Sequence, residues 1–520
     1  MSRSYESSRD DSTIFLRLKS WLEKIYLRET YNMLIYYTIS MLKGTGDHMP
    51  ESPLYCWNAT DLSAAIRTRE VSAVEVMRAH LDRIEEVNPL LNSIVASVPA
   101  SQAIAAAEES DAAVARGDEL GVLHGLPTAV KDLLDVRGLP TTYGSAAFAQ
   151  AMPSTRDSLL TRRLRAAGAL VIGKTNTPEH GVGTLSFNAV YGITRNPWDT
   201  SKHGGGSSGA GAAVASGMLP IADGSDSGGS LRYPSSFCNT VGLRTTAGRV
   251  PGDSVGSAWS PHSVLGPMAR NSQDVGLWLA AIAGPDIAAP LSLAEDPSVF
   301  VDIEPRSVEG LRIAWSKDAD GLPVAPDVRH AYADARERLV ALGAIVDDVE
   351  IDFSDADEAW EIIEMFGFFS FGWPGVEAEP EKYRHDFVRN VEQGGSYSAK
   401  EIARGFELRT EIYRRTARLI ASYDLFVTPA TPCTAPDADV EWVKEIDGVE
   451  FDRYFLWQRM ANRITMTSHP ALITPGGFTE SGMPFGLQLV GHMRGEAELL
   501  RAGAGIEAAT GFAAVRPTGI

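Results

Sequence analysis

Short apolar runs recur along the chain at 127–130, 169–172, 311–315, 344–346, 425–428, 471–474 and 485–490, and alanine-rich stretches of helical pattern, such as 102–116 and 159–167, lie between many of them. Runs of this length, bounded by turn residues, read as strands buried on both faces. Strands interleaved with helices predict an α/β chain built on a single large mixed β-sheet, with helices flanking both faces. After Ser72 the positions Val74, Met77, Leu81, Ile84 and Val87 recur at three- and four-residue steps, the pattern of a helix with one buried face, and Asn88-Pro89 is expected to end it. From about 352 to 422 the pattern is helical and rich in rings, among them Trp360, Phe366, Phe368, Phe371 and Trp373. This segment reads as a helical elaboration on the core, either a substrate-side wall or a subdomain packed on itself.

The core begins near Pro53, so one domain over 53–520 is expected, preceded by an extension over 1–52. Residues 14–42 are apolar but broken by charges, and the uncharged part, 32–42, is shorter than the roughly 20 residues that span a bilayer. Early acidic residues and the lack of a small-residue cleavage site argue against a secretory signal. The extension is read as helical or as a gene-start artefact, with 44–49 as a joint; an amphipathic helix against an apolar patch or a membrane surface is the other reading. A formal charge of −20 speaks against nucleic-acid binding, which needs clustered Lys and Arg. Cys56, Cys238 and Cys433 match neither a zinc spacing nor a disulfide framework, which fits a reducing, cytoplasmic setting. The ten histidines are scattered without an HExxH, so no metal and no cofactor is expected. A monomer and a homodimer are both compatible with the sequence.

Three motif matches fail on context. Residues 168–175 fit the Walker A expression, but the variable positions Ala169, Leu170, Val171 and Ile172 form an apolar run, and Pro178 makes a turn where a helix should begin. Residues 204–209 satisfy GxGxxG with no strand ahead of them. The GxSxG of 205–209 would be a nucleophile elbow only with a preceding strand and a later acid and histidine; His385, His469 and His492 follow, none in a telling context.

What remains is an ordered set: Lys131 at the end of an apolar run in GLPTAVKD, Ser207-Ser208 within Gly205-Gly206-Ser207-Ser208-Gly209, and Ser230 within Gly224-Ser225-Asp226-Ser227-Gly228-Gly229-Ser230-Leu231-Arg232. With Gly173-Lys174-Thr175-Asn176, Asn196-Pro197-Trp198, Gly266-Pro267-Met268 and Pro484-Phe485-Gly486 in family order, the chain resembles the amidase-signature family over about 60–510.

The resemblance implies a Ser–Ser–Lys triad. Ser230 would attack the carbonyl and form an acyl-enzyme, Ser207 would relay its proton, and a neutral Lys131 would accept it. A serine hydroxyl is a poor nucleophile without such a base, and burial disfavours the ammonium of a lysine. Gly206 precedes the relay serine. The amides of Ser227, Gly228, Gly229 and Ser230 would form the oxyanion hole. Ser225 and Asp226 are expected to brace this loop, and Arg232 to pair with Asp226. Ser230 follows Ser207 by 23 residues, one fewer than the resemblance leads one to expect; aligned back from Ser230 without a gap, Gly206 would take the relay position, whereas alignment from Asn196-Pro197-Trp198 gives it to Ser207.

The implied activity is cleavage of a small-molecule carboxylic amide, and of esters or carbamates by the same acyl-enzyme. A glutaminase subunit of a tRNA-dependent amidotransferase shares the signature and would need partner chains. A non-catalytic binding protein on an amidase scaffold is favoured only by the short spacing.

Overall fold

Each short apolar run forms a strand, and further strands, at 94–97, 221–226, 241–244 and 264–269, join them. In the computed structural model, which describes residues 52–206, 209–253 and 258–520, the first third contains α1 (Ala59–Thr68), α2 (Ala73–Leu91), β1 (Ile94–Ser97), α3 (Ala100–Arg116), β2 (Pro127–Lys131), α4 (Leu159–Ala166) and β3 (Leu170–Thr175). The middle holds α5 (Ala210–Ala215), β4 (Ile221–Asp226), α6 (Arg232–Cys238), β5 (Val241–Arg244), β6 (Val264–Ala269) and α7 (Ser272–Ile282). Next come β7 (Arg312–Trp315), α8 (Pro326–Ala341), β8 (Ile345–Asp348), α9 (Ala356–Ala378), α10 (His385–Ser396), α11 (Ala399–Ile420) and β9 (Leu425–Pro429). The chain closes with α12 (Arg459–Thr467), β10 (Ala471–Phe478), β11 (Pro484–Val490) and α13 (Glu496–Thr510). The expected extension lies outside the described residues apart from Ser52.

Eight strands make a mixed sheet in the order β8-β7-β9-β11-β10-β5-β6-β4. The β8-β7-β9 end is parallel and the remaining pairs are antiparallel. A second sheet of three strands, β1-β3-β2, stands beside it, with β2 and β3 parallel. No backbone ladder joins the two sheets among the described residues. Instead the Thr128 hydroxyl of β2 donates to the Ile221 carbonyl of β4 at 3.0 Å, and the Lys131 N–H donates to the Asp223 carboxylate at 2.9 Å. The seam between the sheets is thus held by side chains.

Local chemistry explains the element ends. Ser72 accepts the Glu75 N–H while Glu75 accepts the Ser72 N–H, a reciprocal capping box that opens α2. The expected stop at Asn88-Pro89 falls inside α2, which runs on to Leu91. Asn88 Oδ1 takes the N–H groups of Ser93 and Ile94, and Asn92, in the left-handed region at φ 51°, ends the helix. The aromatic-rich segment forms α9, α10 and α11. An apolar cluster that includes Trp360, Phe368, Phe387 and Ile412 fastens these helices to Phe426 and Val490 of the sheet. No helix among the described residues is long and apolar enough to cross a membrane.

Candidate active site

β2 delivers Lys131 as its last residue, at the seam. The side chain is 1% exposed, and its Nζ lies 2.9 Å from the Ser225 Oγ. Burial destabilises the ammonium most, bringing its pKa down to about 7 although the charges of Asp223 and Asp226 pull the other way. Asp223 is pushed up to about 6 by the same burial, against the opposing pull of the Lys131 amide and side chain. Ser225, expected from the sequence to brace the nearby loop, thus has its hydroxyl on the lysine.

β4 ends at Asp226, and the chain turns through 227–230 into α6. The Asp226 carboxylate accepts the N–H groups of Gly229 and Leu231, each at 3.1 Å, and two N–H groups of Arg232 at 3.0 and 2.7 Å. Burial alone would raise this carboxyl, but the guanidinium of Arg232, with that of Arg244, holds it well below the usual carboxylate range. Arg232 is itself fully buried and reaches Ala461, Thr465 and Gln488 on α12 and β11. The Asp226–Arg232 pair expected from the sequence is therefore present.

Ser230, buried, stands between the two residues whose amides Asp226 holds. Gly229 is required there: its φ is +109°, and a Cβ would lie 2.7 Å from that of Ala461. Among the four amides expected to face an oxyanion, that of Gly229 turns to Asp226. The N–H groups of Ser227, Gly228 and Ser230 donate to no protein acceptor among the described residues. Ser207, with Ser208, lies outside the described residues. On either side of the pair the chain is held close: a Cβ on Gly206 would sit 2.7 Å from the Ser186 nitrogen, and the Gly209 N–H donates to the Asn176 carbonyl at 2.8 Å.

Several residues at this loop carry no signal in the sequence. Trp360 of α9 donates its indole N–H to the Ser227 carbonyl at 3.3 Å, and Glu364, one turn on, accepts the Ser227 hydroxyl at 2.8 Å. The other oxygen of Glu364 meets the His262 Nε2 at 2.6 Å. A Cβ on Gly228 would lie 3.2 Å from both Trp360 and the Asn462 Oδ1, and that oxygen is buried without a hydrogen-bond partner among the described residues. Only the aromatic density near 360 hints at this wall. Asp223 is hidden in the Gly/Ser tract.

Farther along the same face of α9, Phe368 and Phe371 pack on Phe387 at 5.9 and 6.1 Å, and Phe387 stacks on His180 at 4.4 Å. Tyr143 and Phe148 approach His180 as well. Phe371 and Phe148 remain 39% and 36% exposed, so the row of rings leads from the Ser227 loop to solvent.

The 168–175 match and the later histidines have structural places. Leu170–Thr175 is a strand, and Lys174 forms a buried ion pair with Asp132 at 2.9 Å. His492 bonds the Tyr423 carbonyl, His469 packs on Tyr413, and His385 begins α10. Among the described residues no group of three or more His, Cys, Asp or Glu has the arrangement of a metal site.

The profile of the Amidase family matches residues 75–500. The chain is 33% identical over 475 residues to an acylamidase of Rhodococcus erythropolis, covering 90% of this chain and 98% of that one. It is also 33% identical over 481 residues to a glutamyl-tRNA(Gln) amidotransferase subunit of Synechococcus sp. (strain CC9605), with 87% and 96% coverage. The fold matches that of a bacterial aryl acylamidase of the amidase-signature family with a TM-score of 0.82 and 25% identity, over 90% of this chain and 100% of that one.

Proposed function

This chain belongs to the amidase-signature family of amide-hydrolysing enzymes, and we propose that it is a stand-alone amidase working through a Ser230 acyl-enzyme with Lys131 as its base and Ser207 as the relay. The observation that carries this reading is Lys131, a buried lysine at the seam whose ammonium is brought down to about 7. At neutral pH a large share of such a lysine is an amine with a lone pair to offer.

In this mechanism the Ser230 Oγ forms a bond to the carbonyl carbon as its proton passes to Ser207, whose own proton passes to the Lys131 Nζ. The carbonyl π pair moves onto oxygen, where the N–H groups of Ser227, Gly228 and Ser230, which donate to no acceptor among the described residues, receive it. Collapse breaks the C–N bond, and the proton returns through Ser207 to the leaving nitrogen. Water then repeats the sequence on the ester and frees the acid. Asp226 and Arg232 act on the geometry of the turn, not on the substrate.

The row of rings on α9 supports an aryl or long acyl amide, since it offers apolar surface from the Ser227 loop outward. A glutaminase subunit is the second reading, favoured by the likeness to the amidotransferase chain. An acyl p-nitroanilide and glutamine, given to the purified chain alone, separate the two.

Treatment with a fluorophosphonate probe and mass spectrometry of the labelled peptide tests the nucleophile. Labelling at Ser230, lost in Ser230→Ala and much reduced in Lys131→Ala, is expected. Labelling at Ser207 with Ser230→Ala still reactive overturns the reading.

A further inference from the structure

The Ser227 loop is tied into a closed ring of contacts that the triad does not need. Ser227 follows Asp226 in the chain. Arg244 donates to the Asp226 carbonyl and, through its other terminal nitrogen, to the His262 carbonyl at 3.0 Å. The His262 ring meets Glu364 at 2.6 Å, and Glu364 accepts the Ser227 hydroxyl at 2.8 Å. Ser227 is gripped a second time by Trp360, which bonds its carbonyl at 3.3 Å. Glu364 is 8% and His262 4% exposed, so these bonds form away from bulk water, where a hydrogen bond to a charged group is strong and a lost partner is costly. Arg409 closes the back of the ring by donating to the Pro261 carbonyl at 3.1 Å.

A carboxylate pinned between a ring nitrogen and a hydroxyl is a poor candidate for proton transfer to substrate, because both its oxygens are engaged. It is well suited to holding a residue in place. The N–H of the held residue, Ser227, donates to no acceptor among the described residues at the site where charge would develop, and an oxyanion donor contributes only if it points at the oxygen.

We infer that Glu364, braced by His262, is the positioning residue for the oxyanion loop: it sets Ser227 so that the Ser227 N–H is aimed before substrate arrives. The inference rests on Ser230 being the nucleophile. It also assigns a purpose to α9 beyond that of a wall. Trp360 and Glu364 grip the loop at one end of a helix face whose other end, at Phe368 and Phe371, meets the aromatic row.

The test is a double-mutant cycle on the full chain, with an acyl p-nitroanilide as probe substrate. Ser227→Ala and Glu364→Ala should each lower kcat by about 10²-fold with KM little changed, because a small misplacement of a reacting group has effects of this order. The double variant should be no worse than the poorer single variant, since both remove the same bond. Glu364→Gln, which keeps an acceptor for Ser227, should recover most of kcat; if Glu364→Ala does not fold, this variant and Ser227→Ala decide the matter. Losses that multiply in the double variant, an effect confined to KM, or a Glu364→Gln variant whose kcat is as low as that of Ser227→Ala would overturn the inference. Ser230→Ala is assayed alongside. If it stays active the nucleophile assignment fails, whereas an inactive Ser230→Ala beside unaffected Glu364 variants overturns only the positioning role.

Discussion

Lys131 ends β2 and Lys174 is the penultimate residue of the neighbouring β3, and the register pairs Val130 with Lys174 and Lys131 with Thr175. Both are buried, at 1% and 0% exposure, yet they keep different company. The Lys174 Nζ contacts Asp132 at 2.9 Å and the Thr141 hydroxyl at 3.0 Å. The Lys131 Nζ contacts a hydroxyl, that of Ser225, at 2.9 Å. Depth alone therefore does not make a base. A lysine locked to a carboxylate is an anchor, whereas one whose burial outweighs the attraction of Asp223 and Asp226 can give up its proton near neutrality.

The comparison would break first at Lys131. Lys131→Ala and Lys131→Arg should both lower kcat/KM by about 10²–10⁴-fold, with arginine no better than alanine because a guanidinium does not deprotonate in the working range. An active arginine variant in a steady-state assay would mean that Lys131 serves only as a charge. The converse experiment is Lys174→Ala. It strands Asp132 in the core and should cost about 3–5 kcal/mol of stability, read from urea unfolding, since breaking a buried pair leaves an uncompensated charge. A variant as stable as the parent would show that the anchor is not one.

The difference is sharpened by pH. The amine form of Lys131 exists above its pKa of about 7, so kcat/KM should fall as the pH drops through that value. Asp223 favours the ammonium, so Asp223→Asn, which keeps an acceptor for the Lys131 N–H, should move this acidic limb to lower pH. A limb that stays in place, or moves up, would take Asp223 out of the account. The smallest effect is expected at Ser225→Ala, where one hydrogen bond to the amine is lost; about 1 kcal/mol, a few-fold in kcat/KM, is the scale.

The apolar runs are legible because a strand buried on both faces writes itself as a continuous apolar stretch. β4 is not, since Ile221–Asp226 holds two aspartates, a serine and a glycine, and sits at the end of its sheet against β2. Its glycine pairs across the ladder with Gly266, itself a position where a Cβ would fall 2.1 Å from the Leu243 carbonyl oxygen. Lys131, Ser230 and the Asp226–Arg232 pair can be read because the residues that fix them are near in sequence or recur as a motif. Glu364 and His262 cannot. They lie 102 residues apart and meet the loop only through the packing of α9 on the sheet. The stop expected at Pro89 fails for a local reason, because Asn88 caps the following residues through its side chain and lets the helix finish its turn.

The seam between the two sheets has a mechanical meaning. Elsewhere in the core, neighbouring strands are riveted by amide-to-carbonyl bonds that no ordinary change of solution alters. Between β2 and β4 one of the stitches is a carboxylate, Asp223, whose pKa is pushed up to about 6. Mild acidification exchanges that charged stitch for a neutral one and relieves the cost of burying the charge, so the seam gains stability under the same conditions in which Lys131 beside it loses its amine.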